Sequence, residues 1–64
     1  MYKVFTRTWW KDNPRWPNGL EPCAGKKTYI KGKFTEKEAI ELCQHWNSKN
    51  EAGRYSLKAE FEEA

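Results

Sequence analysis

FTEKEAIELCQHWNSK, residues 34–49, decides the fold of this chain because it predicts one long, capped helix. Thr35 and Glu38 form a T-x-x-E capping box, in which each side chain accepts a hydrogen bond from the backbone amide of the other residue. From Glu36 to about Lys49, apolar residues recur along one stripe, as is typical of a helix with one buried face. The stripe contains Ala39, Ile40, Cys43 and Trp46, with Leu42 beside it.

Strand patterns lie on both sides of this helix. Met1 to Trp10 combines β-branched and aromatic residues, and Gly25 to Lys31 predicts a second strand. After the helix, Tyr55 to Phe61 alternates apolar and polar residues, so we expect a third strand whose apolar residues, Tyr55 included, face the helix. The order β-loop-β-α-β predicts an α+β fold, with a three-stranded antiparallel sheet, the first strand central and the helix on one face.

A long loop at residues 11–24 separates the first two predicted strands. The surrounding stretch WWKDNPRWPNGLEPCAG, residues 9–25, holds three of the four tryptophans and all three prolines. Proline fixes φ and lacks an N–H, which excludes a helix or a central strand throughout. Turn signals such as Pro17-Asn18-Gly19 predict repeated reversals that display neighbouring side chains.

Two interpretations of this loop remain open. Trp and Arg dominate the hot spots of protein interfaces, and loops carry function more often than scaffolds do. The loop, together with the basic face of the sheet, is therefore predicted to bind a protein partner. The alternative is that its prolines and tryptophans only cap the edge of the sheet. The predicted contact residues are Trp9, Trp10, Lys11, Arg15 and Trp16.

The sheet face turned away from the helix is a second candidate site. If Val4 faces the helix, alternation along the strands places Phe5 among aromatic and basic residues on the opposite face. Rings interleaved with cations bind single-stranded nucleic acid, because bases stack on the rings and cations follow the phosphates. In a competing interpretation, the loop residues Trp16, Pro17 and Leu20 fold over this face as a second small core. The candidate nucleic-acid contacts are Arg7, Trp9, Lys27, Tyr29, Lys31 and Lys58.

Net charge supports an anionic partner for one half of the chain only. Residues 1–33 contain eight Lys or Arg and two acidic residues, whereas residues 34–64 contain four basic residues and seven glutamates. Such asymmetry is an argument about partners and not about the fold. Because the net charge of the whole chain is only +3, a protein partner is favoured over nucleic acid.

Length and composition limit the class of protein. A chain of 64 residues predicts one domain with a thin core, since it buries only about 60% of the surface exposed by the unfolded form. No apolar run approaches the ~18 residues of a membrane span, so no membrane association is expected. The chain begins with a strand-like pattern rather than a signal peptide, and we expect Cys23 and Cys43 to be free thiols in a reducing cytoplasm.

Groups for catalysis or metal binding are few. The single histidine, His45, lies two positions from Cys43, which places their side chains about 200° apart on a helix. Structural zinc requires four closely spaced ligands, and the chain has no C-x-x-C motif. A nucleophile requires a base and an orienting partner, and no such set can be assembled from this sequence. We therefore expect no enzyme activity, no metal and no cofactor.

Nearly the whole chain also carries a family resemblance. The run YKVFTRTWWKDNPRWPNGLEPCAGKKTYI, followed by FTEKEAIELCQHWN and GRYSLKAEFEE, resembles short uncharacterised accessory proteins of tailed bacteriophages and prophages. The resemblance implies a setting, namely a phage protein made in the cytoplasm of a bacterial host. Proteins of this size class often inhibit or redirect host machinery, so a host or defence protein is the implied partner. It assigns no role to any individual residue.

Overall fold

A central first strand organises the structure, a computed structural model that describes all 64 residues. The elements are strands β1 (Tyr2–Arg7), β2 (Trp10–Asp12), β3 (Leu20–Pro22) and β4 (Thr28–Tyr29), helix α1 (Glu36–Lys49) and strand β5 (Lys58–Glu63). Strand β1 lies between β4 and β5 and is antiparallel to both, while β2 and β3 form a separate two-stranded sheet. The predicted α+β fold with β1 in the centre is confirmed.

Helix α1 begins where its capping box predicts. The Glu38 amide donates to the Thr35 hydroxyl at 3.2 Å, and the Thr35 amide donates to the Glu38 carboxylate at 2.9 Å. Hydrogen bonding of Thr35 to the Glu38 carboxylate, first of all through the Thr35 backbone amide, holds the pKa of Glu38 below its usual value. At the other end, the Asn50 amide donates to the Trp46 carbonyl at 3.0 Å. One orphan group at each end of the helix is therefore capped by a residue next to the helix in sequence.

The core between α1 and the sheet is built from small side chains. Ala39 and Cys43 of the helix pack with Val4 and Ala59 of the sheet, and all four are buried. Small residues on both surfaces let the helix lie close to the strands. Larger side chains close the rim of this core, namely Tyr2, Ile30, Phe34, Leu42 and Trp46.

The third predicted strand starts later than its alternating pattern suggests. Strand β5 begins at Lys58, and residues 53–56 form a turn in which Gly53 and Ser56 have φ of 69° and 54°. The Tyr55 hydroxyl donates to an Asp12 carboxylate oxygen at 2.7 Å. The expectation that Tyr55 lies in the strand and faces the helix is therefore wrong, because a distant hydrogen bond draws it to β2.

The first two strands and the loop between them also have bounds that differ from the prediction. Strand β1 ends at Arg7 rather than Trp10, and β4 covers only Thr28–Tyr29, although single backbone bonds continue the pairing on both sides. The segment 11–24, predicted as loop, contains most of the β2–β3 hairpin. Pro22 is accommodated at the end of β3, and Pro14 and Pro17 lie in the turn, where a missing N–H costs little.

Asn47 joins the helix to the outer edge of β5. Its side-chain oxygen accepts from the Ala59 amide at 2.9 Å, and its side-chain nitrogen donates to the Ala59 carbonyl at 3.1 Å. Unpaired backbone groups at a sheet edge attract other strands. The Asn47 amide therefore occupies two of these groups and fixes the end of α1 against β5.

Candidate functional site

The β2–β3 hairpin extends away from the rest of the fold. Neither strand lies against α1, β4 or β5. Lys11 pairs with Glu21 in the ladder, and the Lys11 amine lies 3.4 Å from the Glu21 carboxylate. The chain measures 42 × 22 × 15 Å, an elongated shape for its length. The hairpin is therefore available to a partner on more than one side.

Asn13 organises the turn at the tip of the hairpin. Its backbone amide donates to the Gly19 carbonyl at 2.9 Å, and its side-chain oxygen accepts from the Arg15 amide at 3.0 Å. The Trp16 amide donates to the Asn13 carbonyl at 3.0 Å, and the Gly19 amide donates to the Trp16 carbonyl at 2.9 Å. Gly19 has φ of 71°, in the left-handed region that favours glycine. The turn is therefore held by its own hydrogen bonds.

The loop before β5 braces the hairpin at both ends of β2. Asp12 accepts from the Tyr55 hydroxyl at 2.7 Å and lies 3.2 Å from the Arg54 guanidinium. The hydrogen bond to Asp12 raises the pKa of Tyr55. The Trp9 amide also donates to the Tyr55 carbonyl at 2.8 Å. These contacts hold the hairpin in place although it packs on no helix.

Four of the five predicted contact residues lie on the hairpin. Trp16 is 45% exposed and Trp10 is 37% exposed. Arg15 is exposed and forms no ion pair, whereas Lys11 is paired with Glu21. The fifth residue, Trp9, lies elsewhere: its indole nitrogen donates to Glu60 of β5 at 2.7 Å. The structure therefore separates Trp9 from the hairpin tip.

On the open face of the sheet, Phe5 is covered by charged and aromatic side chains of the sheet. The Lys27 amine lies 4.7 Å from the centre of the Phe5 ring, and the Arg7 guanidinium lies 5.2 Å from it. The Tyr29 ring meets Phe5 edge to face at 5.8 Å. Phe5 is 4% exposed and has no free ring face for a base to stack on. The contacts on Phe5 thus come from the sheet, and Trp16, expected in the competing interpretation to cover it, is exposed at the hairpin tip.

Two glutamates of β5 complete this face. Glu62 accepts from the Lys27 amine at 2.8 Å and from the Tyr29 hydroxyl at 2.7 Å. Glu60 accepts from the Trp9 indole. Sequence reasoning did not place either glutamate in the site, although each stands at an outward position of the alternating pattern. The remaining nucleic-acid candidates, Lys31 and Lys58, are exposed and unpaired.

Stability should fall at both ends of the pH range because of the Lys27–Glu62–Tyr29 group. The hydrogen bond from Lys27, followed by that from Tyr29, lowers the pKa of Glu62, and the bond to Glu62 raises the pKa of Tyr29. A carboxyl group with a lowered pKa stabilises the folded state at pH values above its unfolded pKa of about 4.3. A tyrosine with a raised pKa stabilises the folded state at pH values below its unfolded pKa of about 10. We expect the urea midpoint to fall as pH drops below the first value or rises above the second. Glu62→Gln should flatten both limbs, and a profile parallel to the wild type would contradict this assignment.

The rest of the surface has few groups that could form a ligand, metal or thiol site. A shallow, open depression on the outer side of α1 is lined by charged and polar residues and by one apolar residue, Ile40. No group of three or more His, Cys, Asp or Glu side chains is placed to hold a metal ion. Cys23 and Cys43 are free, and burial raises the pKa of the Cys43 thiol. Helix α1 is too short and too polar to cross a membrane.

No protein-family model, curated protein sequence or solved structure matches this chain.

Proposed function

We propose that this chain is a small non-catalytic binding module that holds another protein through the tip of its β2–β3 hairpin. One observation carries the proposal: Arg15, which forms no ion pair, and Trp16, which is exposed, are neighbours on a turn held by its own hydrogen bonds. The proposed setting is that of a phage or prophage accessory protein in the bacterial cytoplasm. A host or defence protein is the partner that fits this setting.

Preorganisation of the turn supports the proposal. Binding costs free energy whenever a loop or a rotamer-rich side chain becomes ordered in the complex. Because Asn13 already bonds to Arg15 and Gly19, the tip loses little backbone freedom on binding. Arg and Trp are also the residue types most enriched in interface hot spots.

The charges of the hairpin point to the same two residues. Both of its acids are neutralised within the chain, Asp12 by Arg54 and Glu21 by Lys11. Arg15 remains as the cation without a partner. A carboxylate beside an apolar pocket on the partner would match Arg15 next to Trp16.

Capture from bacterial lysate on the immobilised chain tests this proposal. The double variant Arg15→Ala, Trp16→Ala should lose the captured partner at least about tenfold, because hot-spot truncations cost about 2 kcal/mol or more. Lys37→Ala, Gln44→Ala on the outer side of α1 is the matched control and should capture as the wild type does. Equal capture by all three proteins, with equal melting temperatures, would refute the role of the hairpin tip.

Single-stranded nucleic acid binding by the open face is the second candidate. It is favoured by the exposed ring of Tyr29 and by the unpaired cations Arg7, Lys31 and Lys58. Two features count against it: the Phe5 ring is covered, and Glu62 engages both Lys27 and Tyr29. The protein-binding function is therefore better supported.

A further inference from the structure

Two cations stand side by side on the open face without an acid between them. Arg7 of β1 and Lys58 of β5 are directly opposite in the ladder, on the face turned away from α1. Like charges at directly opposite positions destabilise a sheet. Neither residue forms an ion pair, whereas Lys27 on the same face is paired with Glu62. The Arg7–Lys58 pair therefore has no negatively charged partner within the chain.

Arg7 is held by aromatic rings instead of by a carboxylate. Its guanidinium lies 5.2 Å from the centre of the Phe5 ring and 5.1 Å from that of Trp9. Its Nε is buried and has no hydrogen-bond partner, while its two Nη nitrogens make no hydrogen bond and are not buried. The guanidinium thus packs on two rings, and its Nη atoms retain some contact with solvent.

The glutamate at the diagonal ladder position does not pair with Arg7. Glu60 stands opposite Phe5 in the ladder, one step diagonally from Arg7, but it accepts from the Trp9 indole at 2.7 Å. No ion pair joins Glu60 to Arg7. Glu60 therefore fixes the ring that packs on the guanidinium and leaves the guanidinium itself available.

We infer that Arg7 and Lys58 form a binding site for a phosphate group. A guanidinium offers a planar fork that matches phosphate oxygens, and a lysine amine supplies a second point charge. Two adjacent cations suit a group that can carry more than one negative charge. The contacts would come from the Arg7 Nη atoms and the Lys58 amine, since the Arg7 Nε is shielded. This site is independent of the hairpin tip and goes beyond the proposed protein-binding function.

Titration with sodium phosphate at constant ionic strength, followed by ¹H–¹⁵N NMR, tests the site directly. The signals to follow are Arg7 Nε–H, which burial should protect from exchange, and Trp9 Nε1–H. We expect saturable shifts of both signals. Lys58→Gln, a change at an exposed position, should weaken binding about tenfold, because a charge-assisted hydrogen bond is lost. Lys37→Gln on α1 is the matched control and should bind as the wild type does.

Two further ligands distinguish the source of the phosphate. A nucleoside monophosphate represents a small phosphorylated ligand, and a single-stranded oligonucleotide of about eight thymidines represents a nucleic-acid backbone. Tighter binding of the oligonucleotide than of the monophosphate at equal ionic strength would identify the site as a backbone contact. Equal or weaker binding would identify a small-ligand site. Shifts that sodium chloride reproduces, or that Lys58→Gln leaves unchanged, would overturn the inference, whatever the outcome for the hairpin variants.

Discussion

Replacing Phe5 with Ala is expected to leave most of the protein unfolded at room temperature. Phe5 is one of only five buried residues, and it supports the side chains of Arg7 and Lys27. Removing a buried Phe side chain costs about 3–5 kcal/mol. Domains have a stability of about 0.05–0.15 kcal/mol per residue, or about 3–10 kcal/mol for 64 residues, and a core of only five buried residues places this chain near the lower value. Far-UV circular dichroism and urea unfolding at pH 7 would measure the loss.

Phe5→Leu is the matched control for this change. Leucine keeps most of the apolar volume, and the variant loses mainly the cation–π contacts, each worth about 0.5–1 kcal/mol at partly exposed sites. We expect it to remain folded with a lower urea midpoint. If Phe5→Ala unfolded at the same urea concentration as Phe5→Leu, the apolar volume of Phe5 would not be what stabilises this face, and the prediction would be wrong.

Gly25→Ala is expected to have the second-largest effect, because it forces the base of the hairpin away from the sheet. A Cβ atom at Gly25 would lie 2.5 Å from the Thr8 hydroxyl and 3.0 Å from the Thr8 carbonyl oxygen. The Gly25 amide donates to that same carbonyl at 2.8 Å. The clash therefore costs about 1–3 kcal/mol, as overpacking does elsewhere. Urea unfolding would detect this cost, and NMR shifts of the Trp10 and Trp16 indoles would report movement of the hairpin.

Two comparisons make the Gly25 result specific. Ala24→Ser changes the exposed neighbouring residue and should leave the unfolding midpoint near that of the wild type. Adding Thr8→Ala to Gly25→Ala removes the closer of the two clashes and should restore part of the stability. A Gly25→Ala protein with a wild-type midpoint would mean that the backbone shifts here at no cost.

Signals that lie within a few residues of each other were readable from the sequence. The capping box of Thr35 and Glu38 and the stripe containing Ala39 and Cys43 predicted both the position and the buried face of α1. The order of elements then predicted the sheet, and β1 is indeed central. Each of these inferences depends on spacing along the chain and not on a distant contact.

Contacts between distant residues account for what was missed. The alternation from Tyr55 to Phe61 favours a strand that begins at Tyr55. Because Tyr55 hydrogen-bonds to Asp12 instead, β5 begins only at Lys58. The hairpin was missed because prolines weaken every strand signal between residues 11 and 24. Alternation along the strands also predicted that Arg7, Lys27 and Tyr29 share one face. It did not predict the register between strands, which sets Glu62 opposite Lys3 on that face.

The position of β1 delays folding during synthesis. Tyr2 pairs with Glu63, and the Ala64 amide donates to the Met1 carbonyl at 2.9 Å. Ribosomes add about 5–20 residues per second, so β1 exists for seconds before β5 has been made. During that interval Val4 lacks the packing of Ala59, and the edge of β1 that pairs with β5 is open. The nascent chain can form its local hairpin and helix early, but the sheet is completed only after residues 58–63 have left the ribosome.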